Sequence, residues 1–151
     1  MLEIVKGNIF DTDCEIIAHG VNCIGKFGSG IAGQIAKKYP SVREAYLDKF
    51  NRPGWELGDM QVVKVEDKII INLATQQECA YDGKRYISYR GLTLALLNLS
   101  YYGEVHHMNI ALPRIGSGLG GGDKEIIQAI IEGIFAEYPY IVKIYDYEEA
   151  K

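Results

Sequence analysis

The sequence predicts an α/β domain with a largely parallel sheet, helices on both faces and one hairpin. Short apolar runs of strand length alternate with helical patterns along the chain, which is typical of parallel strands joined by crossover helices. Two glycine-rich loops each connect an apolar run to a helix. The length of 151 residues fits one domain, so we expect residues 1–151 to fold together.

Six apolar runs are bounded by polar, proline or glycine residues, and each is short enough to be a strand. The predicted strands are Leu2–Val5, Glu15–Ala18, Met60–Val65, Lys68–Leu73, Met108–Leu112 and Ile141–Tyr145. Only Glu66 and Asp67 separate the third run from the fourth, and so short a connection predicts a hairpin. The polar segment from Ala74 to Lys84 is expected to be irregular.

Four helices are predicted from apolar residues that recur three or four positions apart. They cover residues 31–39, 41–50, 86–102 and 124–137. Pro40 ends the first helix, because proline disfavours helical backbone in the residue before it. Ser41 and Glu44 form a capping-box pattern at the start of the second helix. Asp123 is a favoured N-cap residue for the fourth.

Composition and charge exclude several classes of function. Lysine and arginine total 16 against 20 aspartate and glutamate, a net charge of −4, and this argues against wholesale nucleic-acid binding. No run reaches the ~18 apolar residues of a membrane span, and no basic, then apolar, leader opens the chain. The three cysteines show no metal-ligand or redox spacing, so we expect a reducing, cytoplasmic location and neither metal nor cofactor.

The glycine-rich loops predict binding of phosphate. The first contains Gly28, Ser29 and Gly30, and five of the seven residues from Gly116 to Gly122 are glycine. Glycine lets the backbone approach a ligand closely, and the free N–H groups at a helix start attract anions. Two such loops predict two contacts with one diphosphate. The alternative is a pair of flexible turns, which the entropic cost of ordering so many glycines disfavours.

Two familiar nucleotide motifs do not fit. The dinucleotide fingerprint G-x-G-x-x-G matches both loops literally, but it requires a strand immediately before it and an acidic residue ~20 positions on, at the end of the next strand. Asp48 has the distance from Gly28 but falls within a predicted helix. The P-loop pattern is absent, so a kinase or GTPase is excluded.

The motifs in chain order resemble a macrodomain. They are Lys6-Gly7-Asn8-Ile9, Ala18-His19-Gly20-Val21-Asn22, Gly28-Ser29-Gly30-Ile31-Ala32 and Leu112-Pro113-Arg114-Ile115-Gly116-Ser117-Gly118-Leu119. Asn72-Leu73-Ala74-Thr75-Gln76, followed by Gly83-Lys84-Arg85-Tyr86, is similar to small microbial and phage members. The resemblance covers nearly the whole chain. It implies a three-layer α/β/α sandwich around a mixed, largely parallel sheet of about six strands.

The resemblance implies ADP-ribose or ADP-ribose-1″-phosphate as ligand. The glycine loops would bind diphosphate and distal ribose, the turn at Asn8 would meet adenine, and Asn22 would bind ribose hydroxyls. Tyr145 or Tyr147 would pack against adenosine, unless it is an ordinary core or surface tyrosine. Nucleic acid is expected only as an ADP-ribosylated substrate. The implied ligand-binding residues are Gly7, Asn8, Ile9, Asn22, Gly28, Ser29, Gly30, Ile31, Ala32, Thr75, Gln76, Ile115, Gly116, Ser117, Gly118, Leu119, Gly120 and Tyr145.

His19 and Asp123 are the candidate catalytic residues. Histidine is the usual proton carrier near neutral pH, and His19 resembles the branch containing ADP-ribose-1″-phosphate phosphatases; its alternative role is structural. Asp123 is either a water-positioning base or a helix cap. Enzymes that remove ADP-ribose from glutamate or thymidine resemble this chain too, but they carry a catalytic lysine where residues 75–77 read Thr-Gln-Gln.

Three functions therefore remain open on the sequence. The favoured one is a phosphatase that removes the 1″-phosphate from ADP-ribose-1″-phosphate. The second is an ADP-ribosyl hydrolase acting on protein or DNA, and the third is a module that binds ADP-ribose without turnover. The oligomeric state is open as well.

Overall fold

The computed structural model describes residues 2–78, 85–115 and 121–146. Within these ranges six strands form one sheet: β1 (Leu2–Lys6), β2 (Ile16–Asn22), β3 (Met60–Lys64), β4 (Ile69–Gln76), β5 (Ile110–Pro113) and β6 (Val142–Asp146). The helices are α1 (Gly30–Lys38), α2 (Pro40–Asn51), α3 (Tyr89–His106) and α4 (Lys124–Phe135). A short 3₁₀ helix over Ile9–Asp11, which the sequence patterns did not predict, follows β1.

The strand order is β1-β6-β5-β2-β4-β3. Only the β3–β4 pair is antiparallel, and every other neighbouring pair is parallel. This confirms both the mixed, largely parallel sheet and the predicted hairpin. Because β2 lies between β4 and β5, its residues are covered on both edges as well as both faces, and Ile16, Ile17 and Ala18 are fully buried.

Two apolar cores, one on each face of the sheet, make the three layers. Alternate strand residues such as Ile16, Ile71 and Leu112 pack against α3 and α4. The intervening residues, including Ile17 and Ile70, pack against α1 and α2. This alternation follows from the two-residue period of strand side chains.

Several predicted boundaries were wrong by a few residues. The second helix begins at Pro40, with Tyr39 as N-cap, because proline is already shaped for a first helical position; Ser41 lies inside the helix. The third helix begins at Tyr89 after Ser88, whose hydroxyl accepts a hydrogen bond from the Gly91 amide. The start of the expected irregular segment, Ala74–Gln76, belongs instead to β4. Of its later residues, 79–84 lie outside the described residues.

Two features are absent from the described residues. No helix there has the length and apolarity to cross a membrane. No group of three or more histidine, cysteine, aspartate or glutamate side chains in the same residues is arranged to hold a metal ion.

Candidate functional site

A cleft of about 780 Å³ opens at the carboxyl ends of β5 and β6, between α1 and α4. Ligands in open parallel sheets commonly bind at this edge. Its described lining residues are Ile4, Asn8, Ile9, Gly30, Ile31, Gln34, Pro113, Arg114, Lys124, Glu125, Gln128, Ala129, Glu132, Tyr145 and Asp146.

One end of the cleft is built by β1, β6 and the 3₁₀ helix. Tyr145 is the register partner of Val5, and its ring lines the cleft from a largely buried position. Ile4 lies on the same edge and is exposed. Asn8 is the N-cap of the 3₁₀ helix, since its Oδ1 accepts a 2.9 Å hydrogen bond from the Phe10 amide. An aromatic ring beside apolar surface and an amide group suits a flat heterocyclic base.

The start of α1 lines the opposite wall. Gly30 takes a φ of +57°, a left-handed conformation that glycine adopts without strain. The N-cap residue, Ser29, makes no side-chain capping hydrogen bond, so its hydroxyl does not occupy the first amides of the helix. Ile31 and Gln34 extend this wall along the helix. The uncapped helix start is suited to an anionic ligand.

The charged groups of the lining are mixed. The cations are Arg114 and Lys124, and the carboxylates are Glu125, Glu132 and Asp146. Arg114 forms a 3.6 Å ion pair with Asp146 and donates a 3.1 Å hydrogen bond to Gln128 Oε1. Since the carboxylates outnumber the cations, attraction for an anion depends on the local amides and on Lys124 rather than on the net charge.

His19 lies beneath this edge of the sheet and does not line the cleft. Its side chain is fully buried on the α1 and α2 face, where its ring contacts Phe27 edge-on with centroids 5.6 Å apart. Burial lowers the pKa of His19 to about 4, against the opposing influence of its hydrogen bond to Asn72. The imidazole is therefore neutral at physiological pH.

A chain of hydrogen-bonded side-chain amides fixes the tautomer of His19. Gln61 donates from Nε2 to the Ala45 carbonyl at 2.9 Å, so its Oε1 accepts the 3.0 Å hydrogen bond from Asn72 Nδ2. Asn72 then presents Oδ1 to His19 Nε2 at 2.6 Å. The proton must lie on Nε2, which leaves Nδ1 as a buried acceptor without a partner among the described residues.

Asn22 shapes the loop that follows β2. Its Oδ1 accepts hydrogen bonds from the amides of Ile24 and Lys26 and from the Tyr46 hydroxyl. Its Nδ2 donates to the Lys26 carbonyl at 2.7 Å. The expected contact with ribose hydroxyls would compete with these internal bonds, so the geometry gives Asn22 a structural role.

Asp123 caps α4 as the sequence predicted. Its Oδ1 accepts hydrogen bonds from the amides of Glu125 at 2.8 Å and Ile126 at 3.2 Å. The side chain is exposed and adjoins Lys124 and Glu125, which line the cleft. The cap and a role in catalysis are compatible, because a carboxylate has a second oxygen.

Thr75 lies against β2 rather than in the cleft. A Cβ atom at Gly20 would lie 2.6 Å from Thr75 Oγ1 and 3.3 Å from Ile115 Cγ2. Only a glycine at position 20 allows β2, β4 and Ile115 to approach one another this closely. Thr75 and Ile115 are both buried, so the structure gives them a packing role. Gln76 donates from Nε2 to the Glu78 carbonyl at 2.8 Å.

The predicted ligand residues fall into three groups. Five line the cleft: Asn8, Ile9, Gly30, Ile31 and Tyr145. Eight lie in the described residues but not among those that line it: Gly7, Asn22, Gly28, Ser29, Ala32, Thr75, Gln76 and Ile115. Five others, Gly116, Ser117, Gly118, Leu119 and Gly120, lie outside the described residues, as does Tyr147.

Several residues of the α4 wall were not predicted. Lys124, Gln128 and Glu132 lie four residues apart on one face of α4 and line the cleft together. This spacing was a usable signal, since residues four apart on a helix are neighbours. Gln34 on α1 was missed too, because no sequence pattern indicated which face of that helix meets the ligand.

Comparisons with known proteins place these features in context. The family model for the Macro domain matches residues 18–131. An uncharacterized 17.5 kDa protein from the tk-vs intergenic region of Enterobacteria phage T4 is 32% identical over 143 residues, covering 87% of this chain and 88% of the relative. A DNA ADP-ribosyl glycohydrolase from Mycobacterium tuberculosis is 29% identical over 92% of this chain. An ADP-ribose 1″-phosphate phosphatase from Candida glabrata is 44% identical over 55 residues, which are 35% of this chain and 31% of the relative.

Solved structures agree with the fold. The macrodomain of Mycobacterium tuberculosis DarG matches with a TM-score of 0.84 and 26% identity over 99% of both chains. Thermosipho africanus DarTG in complex with ADP-ribose matches with a TM-score of 0.82 and 20% identity, over 99% of this chain and 42% of the other. The chain spans 40% of the length of the Mycobacterium tuberculosis glycohydrolase that it matches.

Proposed function

Since the chain belongs to the macrodomain family of ADP-ribose-binding proteins and hydrolases, we propose that its cleft binds ADP-ribose and that it hydrolyses ADP-ribose-1″-phosphate. The observation that carries the binding proposal is the cleft at the carboxyl edge of the sheet. One end offers Tyr145 and Asn8, and the opposite wall offers the uncapped start of α1.

The two ends of the cleft fit the two ends of the ligand. Adenine packs beside Tyr145, with the amide of Asn8 at its edge. The diphosphate accepts hydrogen bonds from the amides at the start of α1. Lys124 supplies a cation on the α4 wall. The distal ribose then extends towards the second glycine-rich loop, as the sequence pattern predicts.

The proposed reaction is hydrolysis of a phosphomonoester. A water oxygen attacks phosphorus, the bond between phosphorus and the 1″-oxygen breaks, and a proton reaches that leaving oxygen, which yields ADP-ribose and inorganic phosphate. The local similarity to the Candida glabrata phosphatase supports this choice. So does the Thr-Gln-Gln sequence at residues 75–77, where the resemblance to the glycohydrolases calls for lysine.

The structure changes the role that we assign to His19. A fully buried, neutral imidazole that does not line the cleft is poorly placed to exchange protons with a ligand. We assign it to positioning the loop after β2 through its contact with Phe27. Asp123 stays our candidate for orienting the water, since it is exposed beside the α4 wall.

A second candidate function is removal of ADP-ribose from DNA. The observation in its favour is coverage, because the Mycobacterium tuberculosis glycohydrolase matches 92% of this chain, whereas the Candida glabrata phosphatase matches 35%. Both activities would use the same cleft. They differ in the bond that breaks, since the glycohydrolase cleaves the glycosidic bond between the distal ribose of ADP-ribose and the DNA base.

One set of assays separates the functions. Purified protein is incubated with ADP-ribose-1″-phosphate and phosphate release is followed, while calorimetry measures binding of ADP-ribose. A parallel incubation uses a single-stranded oligonucleotide carrying ADP-ribosylated thymidine. Phosphate release with an intact oligonucleotide is the expected result. Release of ADP-ribose from the oligonucleotide alone favours the second function, binding without either reaction indicates a reader module, and absence of binding overturns the proposal.

A further inference from the structure

The longest helix of the described residues has an apolar face that is largely exposed. One face of α3 packs on the sheet through Gly91, Leu92, Ala95, Leu96, Leu99 and Gly103. The opposite face exposes Leu94, Leu97, Tyr101 and Val105, which are 44%, 49%, 73% and 52% accessible. These four residues recur every three or four positions and form one stripe, which we call the α3 stripe.

Two opposite charges lie on either side of Leu97, at equal distances from it along the helix. Arg90 lies seven residues before Leu97, and Glu104 lies seven residues after it. Seven residues make about two helical turns, so all three side chains share one face. Both charged residues are exposed, and neither forms a salt bridge with another described residue.

The signs of these charges do not suit the helix itself. A helix carries partial positive charge at its N-terminus and partial negative charge at its C-terminus, so acidic residues stabilise its start and basic residues its end. Arg90 is the second residue of α3, and Glu104 is the third from its end. Each charge therefore lies at the less favourable end, and its placement calls for a partner outside the helix.

We propose that the α3 stripe is the interface of a symmetric homodimer. Two copies of α3 lie antiparallel, with Leu97 on the two-fold axis. Arg90 then faces Glu104 of the partner subunit, and the symmetry repeats this pair on the other side of the axis, as an isologous interface requires. Each pair lies about 10 Å from the axis, from a rise of 1.5 Å per residue.

The antiparallel register is selected by charge. A parallel pairing in the same register would bring Arg90 against its own copy and Glu104 against its own copy, which is repulsive. The antiparallel pairing brings opposite charges together twice. It also places Leu94 and Tyr101 on either side of Leu97, so that the apolar centre has a charged rim, as in ordinary interfaces.

Dimerisation leaves the proposed ligand site free. The cleft is lined by described residues of α1, α4, the 3₁₀ helix and the sheet edge, and α3 contributes none of them. The inference is thus independent of the proposed function. One helix face makes a small interface, so we expect a dissociation constant on the order of micromolar.

Sedimentation analysis of the purified chain between about 2 and 200 µM tests the proposal. We expect a concentration-dependent shift from monomer to dimer. Leu97→Glu places two carboxylates on the two-fold axis and should give a monomer throughout. Phe50→Glu adds the same charge at another exposed apolar residue, on the opposite layer, and should still dimerise. A wild-type chain that stays monomeric at every concentration overturns the proposal.

Charge reversal tests the register. Arg90→Glu puts like charges together in both pairs and should raise the dissociation constant about tenfold. The double variant R90E/E104R reverses both members and should return it to near the wild-type value. Both substitutions suit the helix dipole better than the native residues, so a loss of dimer is not due to a weakened helix, which circular dichroism checks. A single variant that dimerises normally, or a double variant that does not recover, overturns the antiparallel pairing.

Discussion

The imidazole of His19 donates from Nε2 to Asn72 Oδ1 at 2.6 Å, across the junction of β2 and β4. Both side chains are fully buried. The two residues are register partners in parallel strands, so the bond connects neighbours in the centre of the sheet. Gln61 and the Ala45 carbonyl extend the chain of hydrogen bonds to α2. A conspicuous histidine of the sequence is thus part of the fold's interior.

This burial predicts acid sensitivity. The pKa of His19 is about 4 in the folded chain, against an ordinary value of 6.5. Between these two values the unfolded chain binds a proton that the folded chain does not, so stability is lost as the pH falls. We expect the free energy of unfolding to decrease by up to roughly 3 kcal/mol across this range.

Urea unfolding at several pH values across that range measures the effect. His19→Gln removes the titrating group and should flatten the pH dependence, while lowering stability at neutral pH. In His106→Gln, at an exposed position, the free energy of unfolding should depend on pH as it does in the wild type. If His19→Gln shows the same pH dependence as the wild type, other groups cause the acid sensitivity.

The contact between Gly20 and Thr75 predicts a coupled pair of substitutions. Gly20→Ala would bring a methyl group to 2.6 Å from Thr75 Oγ1, so we expect a loss of about 1–3 kcal/mol of stability from overpacking. Thr75→Ala removes that oxygen, and in its background Gly20→Ala should cost less. Thermal or urea unfolding of the four chains in the double-mutant cycle measures the coupling. If the two substitutions change the free energy of unfolding additively, the contact between Gly20 and Thr75 is contradicted.

Asp123 allows its cap and its proposed catalytic role to be separated. Asp123→Ala removes the acceptor for two amides of α4 and should cost about 1 kcal/mol of stability. Asp123→Asn keeps a good cap but loses the negative charge, so stability should be nearly unchanged. If the carboxylate orients water, phosphate release by Asp123→Asn should fall about 100-fold. Full activity in that variant would reduce Asp123 to a cap.

The place of Tyr145 in the cleft predicts where the adenine of ADP-ribose binds. Tyr145→Leu keeps an apolar side chain in the core on the α1 and α2 face of the sheet, but it removes the ring that lines the cleft. We expect the dissociation constant for ADP-ribose to rise about tenfold, from the loss of ring stacking. Tyr140→Leu changes a tyrosine two residues before the start of β6, and this variant should bind ADP-ribose normally. Calorimetry measures the dissociation constant of each variant for ADP-ribose. If Tyr145→Leu binds as tightly as the wild type, adenine lies elsewhere.

The α4 wall illustrates what local patterns could not provide. The apolar period of residues 124–137 predicted the helix, and Asp123 predicted its start, because both signals depend on residues a few positions apart. Neither signal says that Lys124 and Gln128 face α1 across a cleft. That relation depends on the strand order, which brings α1 and α4 to the same edge of the sheet.

The fold class, the six strands and the four helices could be predicted from the sequence alone. Five residues that the sequence predicts as ligand contacts, Asn8, Ile9, Gly30, Ile31 and Tyr145, line the cleft. Apolar period, helix caps and turn residues act over short distances, so they can be read directly along the chain. The tertiary structure alone decided that His19 is sealed inside and that Asn22 is occupied by its own loop. Burial depth depends on which distant strands and helices pack around a residue, and for β2 these are β4, β5 and α2.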